Sequence, residues 1–87
     1  MDYKSILITG GTGSFGQNLV RWLVKNKNKK LKRLVIFSRD ELKQYEMSQE
    51  FSQKKYPYIR YFLGDVRDYK RLKMASKGIE TIIHAAA

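Results

Sequence analysis

The 87-residue chain contains no cysteine, one histidine (His84) and one proline (Pro57). Without thiols, neither disulfides nor thiolate metal sites are available. A single imidazole argues against a metal centre built on histidines. No apolar run approaches the roughly 20 residues needed to span a bilayer. The first residues, Met1-Asp2-Tyr3-Lys4, lack the apolar stretch of a secretory signal. A cytoplasmic chain with no membrane partner is therefore expected. Acidic residues are also scarce, 8 Asp+Glu against 18 Lys+Arg, for a formal charge of +10. Such an excess suits a polyanion. Much of it, however, falls in residues 25–33 (Lys-Asn-Lys-Asn-Lys-Lys-Leu-Lys-Arg), where a helix should end and a loop should begin. Lysines there complement the helix dipole, and asparagines favour the turn. This run reads as a solvated loop, and no nucleic-acid partner is expected. A second stretch, residues 54–62, interleaves bases with aromatics. Stacking on single-stranded nucleic acid is one reading; a basic loop leading into an aromatic strand is the preferred one.

What is present is glycine in one particular place. Residues 6–16 read Ile-Leu-Ile-Thr-Gly-Gly-Thr-Gly-Ser-Phe-Gly. Gly11, Gly13 and Gly16 form G-x-G-x-x-G; Gly10, Gly13 and Gly16 form the related G-x-x-G-x-x-G. The chain must turn tightly, bring its backbone against a pyrophosphate and pack a helix close to a strand. The following helix points free N–H groups and its positive dipole end at the phosphates. A nucleotide-hydrolase phosphate loop is the competing pattern. It fails at Gln17, where that pattern requires lysine.

Apolar runs and helical periodicities alternate along the chain. Strands are expected at residues 4–9, 34–37, 59–63 and 81–84. Helices are expected at 14–25, 40–53 and 68–76, with Ser38 or Asp40 capping the second and Asp68 the third. Phe15, Leu19, Trp22 and Leu23 would form the apolar face of the first helix. Leu42, Tyr45, Met47 and Phe51 would supply that of the second. Alternation implies an α/β fold with a parallel sheet and right-handed crossovers. The expected strand order is 3-2-1-4 with flanking helices, the N-terminal half of a Rossmann fold forming a single partial domain over 1–87.

Ligands of such sheets bind beyond the C-terminal strand ends. Ser38-Arg39 follows strand two, with Asp40 next and Lys43 one turn on. A guanidinium binds phosphate through two N–H groups, and Ser38 adds a hydroxyl, which favours NADP over NAD. A surface ion pair of Arg39 with Asp40 or Glu41 is the plainer alternative. Asp65 could accept from the adenine amine while Val66 packs on the ring; an ordinary turn cap is the alternative for Asp65. His84 reads as a packed, hydrogen-bonded residue rather than a catalyst. Ala85 and Ala86 are small enough to let a cofactor approach the sheet. Tyr69 and Lys73 match Tyr-x-x-x-Lys, a pair that can deliver a proton, but they precede strand four and read as a chance match. No catalytic residue and no metal ligand is assigned.

Four segments together resemble the extended short-chain dehydrogenase/reductase superfamily: residues 8–16, 37–44 (Phe-Ser-Arg-Asp-Glu-Leu-Lys-Gln), 64–68 (Gly-Asp-Val-Arg-Asp) and 84–87 (His-Ala-Ala-Ala). The second segment is similar to the inverting UDP-N-acetylglucosamine 4,6-dehydratases of pseudaminic acid synthesis and their capsule-synthesis relatives. The resemblance implies a cofactor site in which Thr12, Gly13, Ser14 and Phe15 bind the pyrophosphate and the neighbouring ribose, with Gly10 and Gly16 of the same turn as further cofactor-binding residues. Ser38, Arg39, Asp40, Glu41, Leu42 and Lys43 would surround the 2′-phosphate, with Asp65 and Val66 at the adenine and Ala85 towards the nicotinamide. It also implies NADP, UDP-N-acetylglucosamine as substrate, and homo-oligomers. In that family, hydride leaves sugar C4, water is lost across C5–C6, and hydride returns to C6 with inversion at C5. The family's later Tyr-x-x-x-Lys and sugar-binding region lie outside these 87 residues, so a fragment inactive alone is expected. The alternatives are a standalone nucleotide- or nucleic-acid-binding module, a non-catalytic nucleotide-sensing regulator, and a retaining-type capsule dehydratase relative.

Overall fold

The computed structural model describes residues 4–26 and 30–85. Part of the basic run (27–29) and Ala86 lie outside these. Four strands, β1 (Ser5–Thr9), β2 (Arg33–Ser38), β3 (Ile59–Leu63) and β4 (Thr81–His84), alternate with three helices: α1 (Ser14–Lys25), α2 (Glu41–Glu50) and α3 (Tyr69–Ala75). All pairings are parallel, and the sheet order is β3-β2-β1-β4, as the sequence predicts. Among the described residues no helix is long and apolar enough to cross a membrane.

Strand side chains alternate between two faces. Ile6 and Ile8 of β1, Leu34 and Ile36 of β2 and Ile59 of β3 meet Val20 and Leu23 of α1, Met47 of α2 and Phe51 just after it. Leu7, Val35 and Phe37 face the other way, against Ala75 and Leu72 of α3. Because β1 and β2 are covered on both faces, every one of their positions except Arg33 is buried. Complete burial of side chains such as Phe37, Ile8 and Leu34 contributes about 1.5–3 kcal/mol each.

Both long helices are rotated from the faces expected of them. The buried stripe of α1 is Gly16, Val20 and Leu23; Phe15 is 61% and Trp22 50% exposed. The cause is Gly16. A Cβ there would lie 2.5 Å from Gly10 O and 2.6 Å from Gly11 Cα, so the helix approaches the turn through that residue. Phe15 and Trp22 are thereby turned outward. In α2 the buried positions are Gln44 and Met47, followed by Phe51 just beyond it. Leu42 and Tyr45 are exposed, because positions two residues apart on a helix point nearly opposite ways. The polar Gln44 takes the inward place that Leu42 and Tyr45 were expected to fill.

Candidate functional site: the C-terminal ends of the strands

The turn after β1 is built for close approach. Gly10 has φ of 67°, a left-handed conformation that glycine adopts without steric cost. Its N–H donates to Phe37 O at 2.9 Å, and Gly13 N donates to Gly10 O at 3.1 Å. Gly11 packs where a Cβ would come within 2.7 Å of Ile36 Cγ2. Gln17 Nε2 donates to Thr12 O at 2.7 Å and steadies the loop from the helix side. Helix α1 then begins at Ser14, with Gly13 in the capping position and no side-chain cap. Among the described residues the amides of Ser14, Phe15 and Gly16 make no backbone hydrogen bond. They are the orphan donors of a helix start, at its positive dipole end.

Helix α2 begins beside them in a different way. Asp40 Oδ1 accepts from Lys43 N at 3.0 Å, an N-cap. This carboxylate is thus held at the helix start. Gln44 Nε2 donates to Ser38 O at 3.2 Å, Ser38 Oγ at 2.9 Å and Phe62 O at 3.1 Å. Since Ser38 Oγ accepts this bond, its own proton is left to donate elsewhere. Arg39 is 73% exposed at its side chain, and its Nη1 lies 3.4 Å from Asp65 Oδ2. The ion pair is with Asp65, not with Asp40 or Glu41.

Asp65 is more heavily engaged than its expected adenine contact allows for. Arg67 approaches it with Nη2 to Oδ2 at 2.7 Å and Nε to Oδ1 at 3.1 Å, and Arg67 N donates to Oδ1 at 2.9 Å. Hydrogen bonds from the Arg67 side chain, then from its backbone, hold the Asp65 carboxyl well below the usual carboxylate range. Arg67 is raised in turn. Gly64 sits against the Phe37 ring, where a Cβ would lie 2.6 Å from Cζ, and this brings the Asp65 loop close to the sheet.

These segments enclose a cavity of about 670 Å³, the size of a small-molecule or cofactor site. Of the predicted site residues, Gly10, Thr12, Gly13, Ser14 and Phe15 line it from the glycine turn. Ser38, Arg39, Asp40 and Lys43 line it from β2–α2, and Asp65, Val66 and Ala85 from the other strand ends. Gly16 lies beneath the turn as a packing contact. Glu41 and Leu42 are exposed on α2 and are not among the lining residues. Sequence reasoning did not name Phe37 and Arg67, which line the cavity together with Gly64, or Gln44, which holds Ser38. Arg67 could have been found as the basic residue two positions past Asp65. Gln44 had only its place inside the 37–44 segment to signal it.

His84 Nδ1 and Thr9 Oγ1 are hydrogen-bonded at 2.5 Å across neighbouring strands. Tyr69 and Lys73 lie exposed on α3, away from the cavity lining. Among the described residues no cluster of His, Asp or Glu could hold a metal ion.

A glycine turn, an uncapped helix start and a lined cavity at the C-terminal end of a 3-2-1-4 parallel sheet define the dinucleotide-binding half of a Rossmann-type fold. The donor set fits a dinucleotide: orphan amides for a pyrophosphate, and cationic side chains at the end of β2. Residues 6–87 match the family model described as polysaccharide biosynthesis protein, and the chain belongs to that family. It is 51% identical over 84 residues to the UDP-N-acetylglucosamine 4,6-dehydratase (inverting) of Campylobacter jejuni, covering 97% of this chain and 24% of the relative. It is 45% identical over 85 residues to the UDP-glucose 4-epimerase of Rickettsia bellii, with the same coverage. The X-ray structure of Pen from Bacillus thuringiensis superposes with a TM-score of 0.83 at 36% identity, over 99% of this chain and 25% of that one. The resemblance expected from residues 8–16 and 37–44 is borne out. The chain spans about a quarter of the length of these relatives. Fold and family together imply a nicotinamide cofactor.

Proposed function

We propose that this chain is the NADP-binding first part of a UDP-N-acetylglucosamine 4,6-dehydratase, of the inverting type that serves pseudaminic acid synthesis in the cytoplasm. The observation that carries the choice of cofactor is the end of β2. An NAD site there needs a free carboxylate for the ribose 2′-hydroxyl. Asp40 Oδ1 is engaged by Lys43 N at 3.0 Å, which holds this carboxylate at the start of α2. Ser38, Arg39 and Lys43 share the same wall of the cavity, and Arg39 needs only to leave one long contact with Asp65 to meet a 2′-phosphate. The Ser14, Phe15 and Gly16 amides would bind the pyrophosphate. Val66 would cover the adenine, and Ala85 leaves room for the nicotinamide ring. When bound, that ring supplies reversible hydride acceptance; the residues of this chain bind and orient it. The identity to the inverting dehydratase, higher than that to the epimerase, supports the dehydratase reading. The active assembly is proposed to be a homo-oligomer of chains carrying the sugar site. The 87 residues alone are proposed to bind NADP without converting UDP-N-acetylglucosamine.

Calorimetric titration of the 87-residue chain tests this. NADP should bind more tightly than NAD, and Arg39→Ala should weaken NADP about 30-fold, the loss of a charged phosphate contact, while leaving NAD within about twofold. Equal affinities in the native chain would overturn the NADP assignment. Turnover of UDP-N-acetylglucosamine by the purified chain would overturn the assignment of binding alone.

A further inference from the structure

The end of the sheet opposite the cavity is cationic in a way the linear sequence does not display. In a parallel sheet all strands start at one pole. The register brings Ser5 beside Arg33, Leu34 beside Ile59, and Ile6 beside Thr81. The three loops entering β2, β3 and β4 therefore converge there. Lys32 N and Arg33 N both donate to Lys4 O, at 2.8 and 3.2 Å, and Leu34 N donates to Tyr58 O at 2.8 Å. Arg33 Nη1 donates to Lys77 O at 3.2 Å. The described residues of the first basic stretch (25–26 and 30–33) and the loop that opens the second (54–58) thus share one surface with Lys4 and with the α3–β4 turn.

Lys4, Lys25, Lys32, Lys54, Lys55 and Lys77 are all exposed at this pole, and none of their ammonium groups is in an ion pair among the described residues. Its carboxylates are few. Glu50, at the end of α2, is held by Arg21 at 3.2 Å, and Glu80 Oε1 accepts from Lys4 N at 2.8 Å. At the cavity pole, by contrast, Arg39 and Arg67 both meet Asp65.

We propose that this lysine pole docks on an anionic lipid surface, leaving the cofactor cavity facing away from it. Three observations favour a lipid surface over a nucleic acid. The cations outside ion pairs are lysines, compact charges on flexible stems that suit a diffuse layer of headgroups; Lys55 Nζ also stands 5.6 Å over the Tyr56 ring. The two guanidinium forks suited to bidentate phosphate reading are already bonded to backbone, Arg33 to Lys77 O and Arg60 to Pro57 O and Ile59 O. The aromatic rings interleaved with bases in the second stretch and its flank are packed on one another: Phe51 with Tyr56 at 5.9 Å and Tyr56 with Tyr58 at 6.3 Å. The lysines also come from several elements around one pole, as a broad contact requires. Five-residue strands place the two poles about 16 Å or more apart, so docking does not obstruct the cavity.

Co-sedimentation with vesicles tests the proposal directly. The 87-residue chain should bind phosphatidylcholine vesicles containing about one-third phosphatidylserine, and not pure phosphatidylcholine. It should be released as salt rises from about 0.1 to about 0.5 M. Lys32→Gln with Lys77→Gln should weaken binding on the order of tenfold. Lys70→Glu removes the same net charge from the cavity-side turn of α3, and should change binding less than about twofold. Circular dichroism checks the fold. If the first pair fails to fold, Lys54→Gln with Lys55→Gln makes the same test. No binding at low salt, or equal losses from the pole pair and from Lys70→Glu, would overturn the proposal. So would single-stranded oligonucleotide binding that persists at salt where vesicles are released.

Discussion

Helices α1 and α2 start side by side on the same cavity, and they satisfy their first amides by opposite means. At α2 the Asp40 carboxylate accepts from Lys43 N, so the helix end is complete without a ligand. At α1 the capping position is Gly13, which has no side chain to offer. The amides behind it are left for something outside the chain. A capped start stabilises the fold; an uncapped one leaves a preformed anion site at some cost in stability. The same division appears in the packing. α1 approaches the turn through a glycine with no space for a methyl group, whereas α2 is set back and holds its strand through the longer side chain of Gln44.

Three substitutions probe that difference. The largest effect is expected at Gly16→Ala, where the new methyl would overlap Gly10 and Gly11 backbone atoms that cannot swing aside. A loss of about 3 kcal/mol in urea denaturation is expected; a stable variant would mean that α1 is not held by this contact. Asp40→Ala should cost about 1 kcal/mol, or roughly 4–8 °C in Tm for a domain of this size. NADP affinity should be no lower than in the native chain. A weakened affinity would show that Asp40 serves the cofactor instead of its helix. The smallest stability change is expected at Gly13→Ser. Gly13 is extended, with φ of −75°, and a Cβ there meets Gly10 O only at an ordinary 3.5 Å. The hydroxyl would cap α1 and raise stability by a few tenths of a kcal/mol, while NADP binding falls several-fold because the amides gain an internal acceptor. Unchanged binding would show that the uncapped start is not the phosphate site.

The order of elements was legible in the sequence because apolar periodicity and turn residues act locally. Continuous apolar runs at 6–8 and 34–37 marked strands covered on both faces, and Asp40 and Asp68 marked helix starts. The cavity wall was legible wherever a residue's backbone position was decisive: Gly10, Thr12 and Gly13 in the turn, and Ser38 and Arg39 at the end of β2. Helix rotation was not legible. Phe15, Trp22, Leu42 and Tyr45 have the hydrophobicity of core residues, yet a glycine contact in one helix and a buried amide in the other turned them outward. Arg67 and Gln44 were missed because their roles depend on Asp65 and Ser38 standing at particular distances.

By itself the sequence determined the alternation of strands and helices, the glycine turn and the basic residue after β2, since each follows from local propensity and spacing. The tertiary structure alone decided which basic side chain Asp65 meets from outside its own loop. Asp40 was already marked as a helix cap by its place in the sequence, but Arg39 meets Asp65 across 26 residues only once β2 and β3 are paired. The tertiary structure also gathered lysines from Lys4 to Lys77 onto one pole, because parallel pairing returns every strand to the same end whatever the distance along the chain.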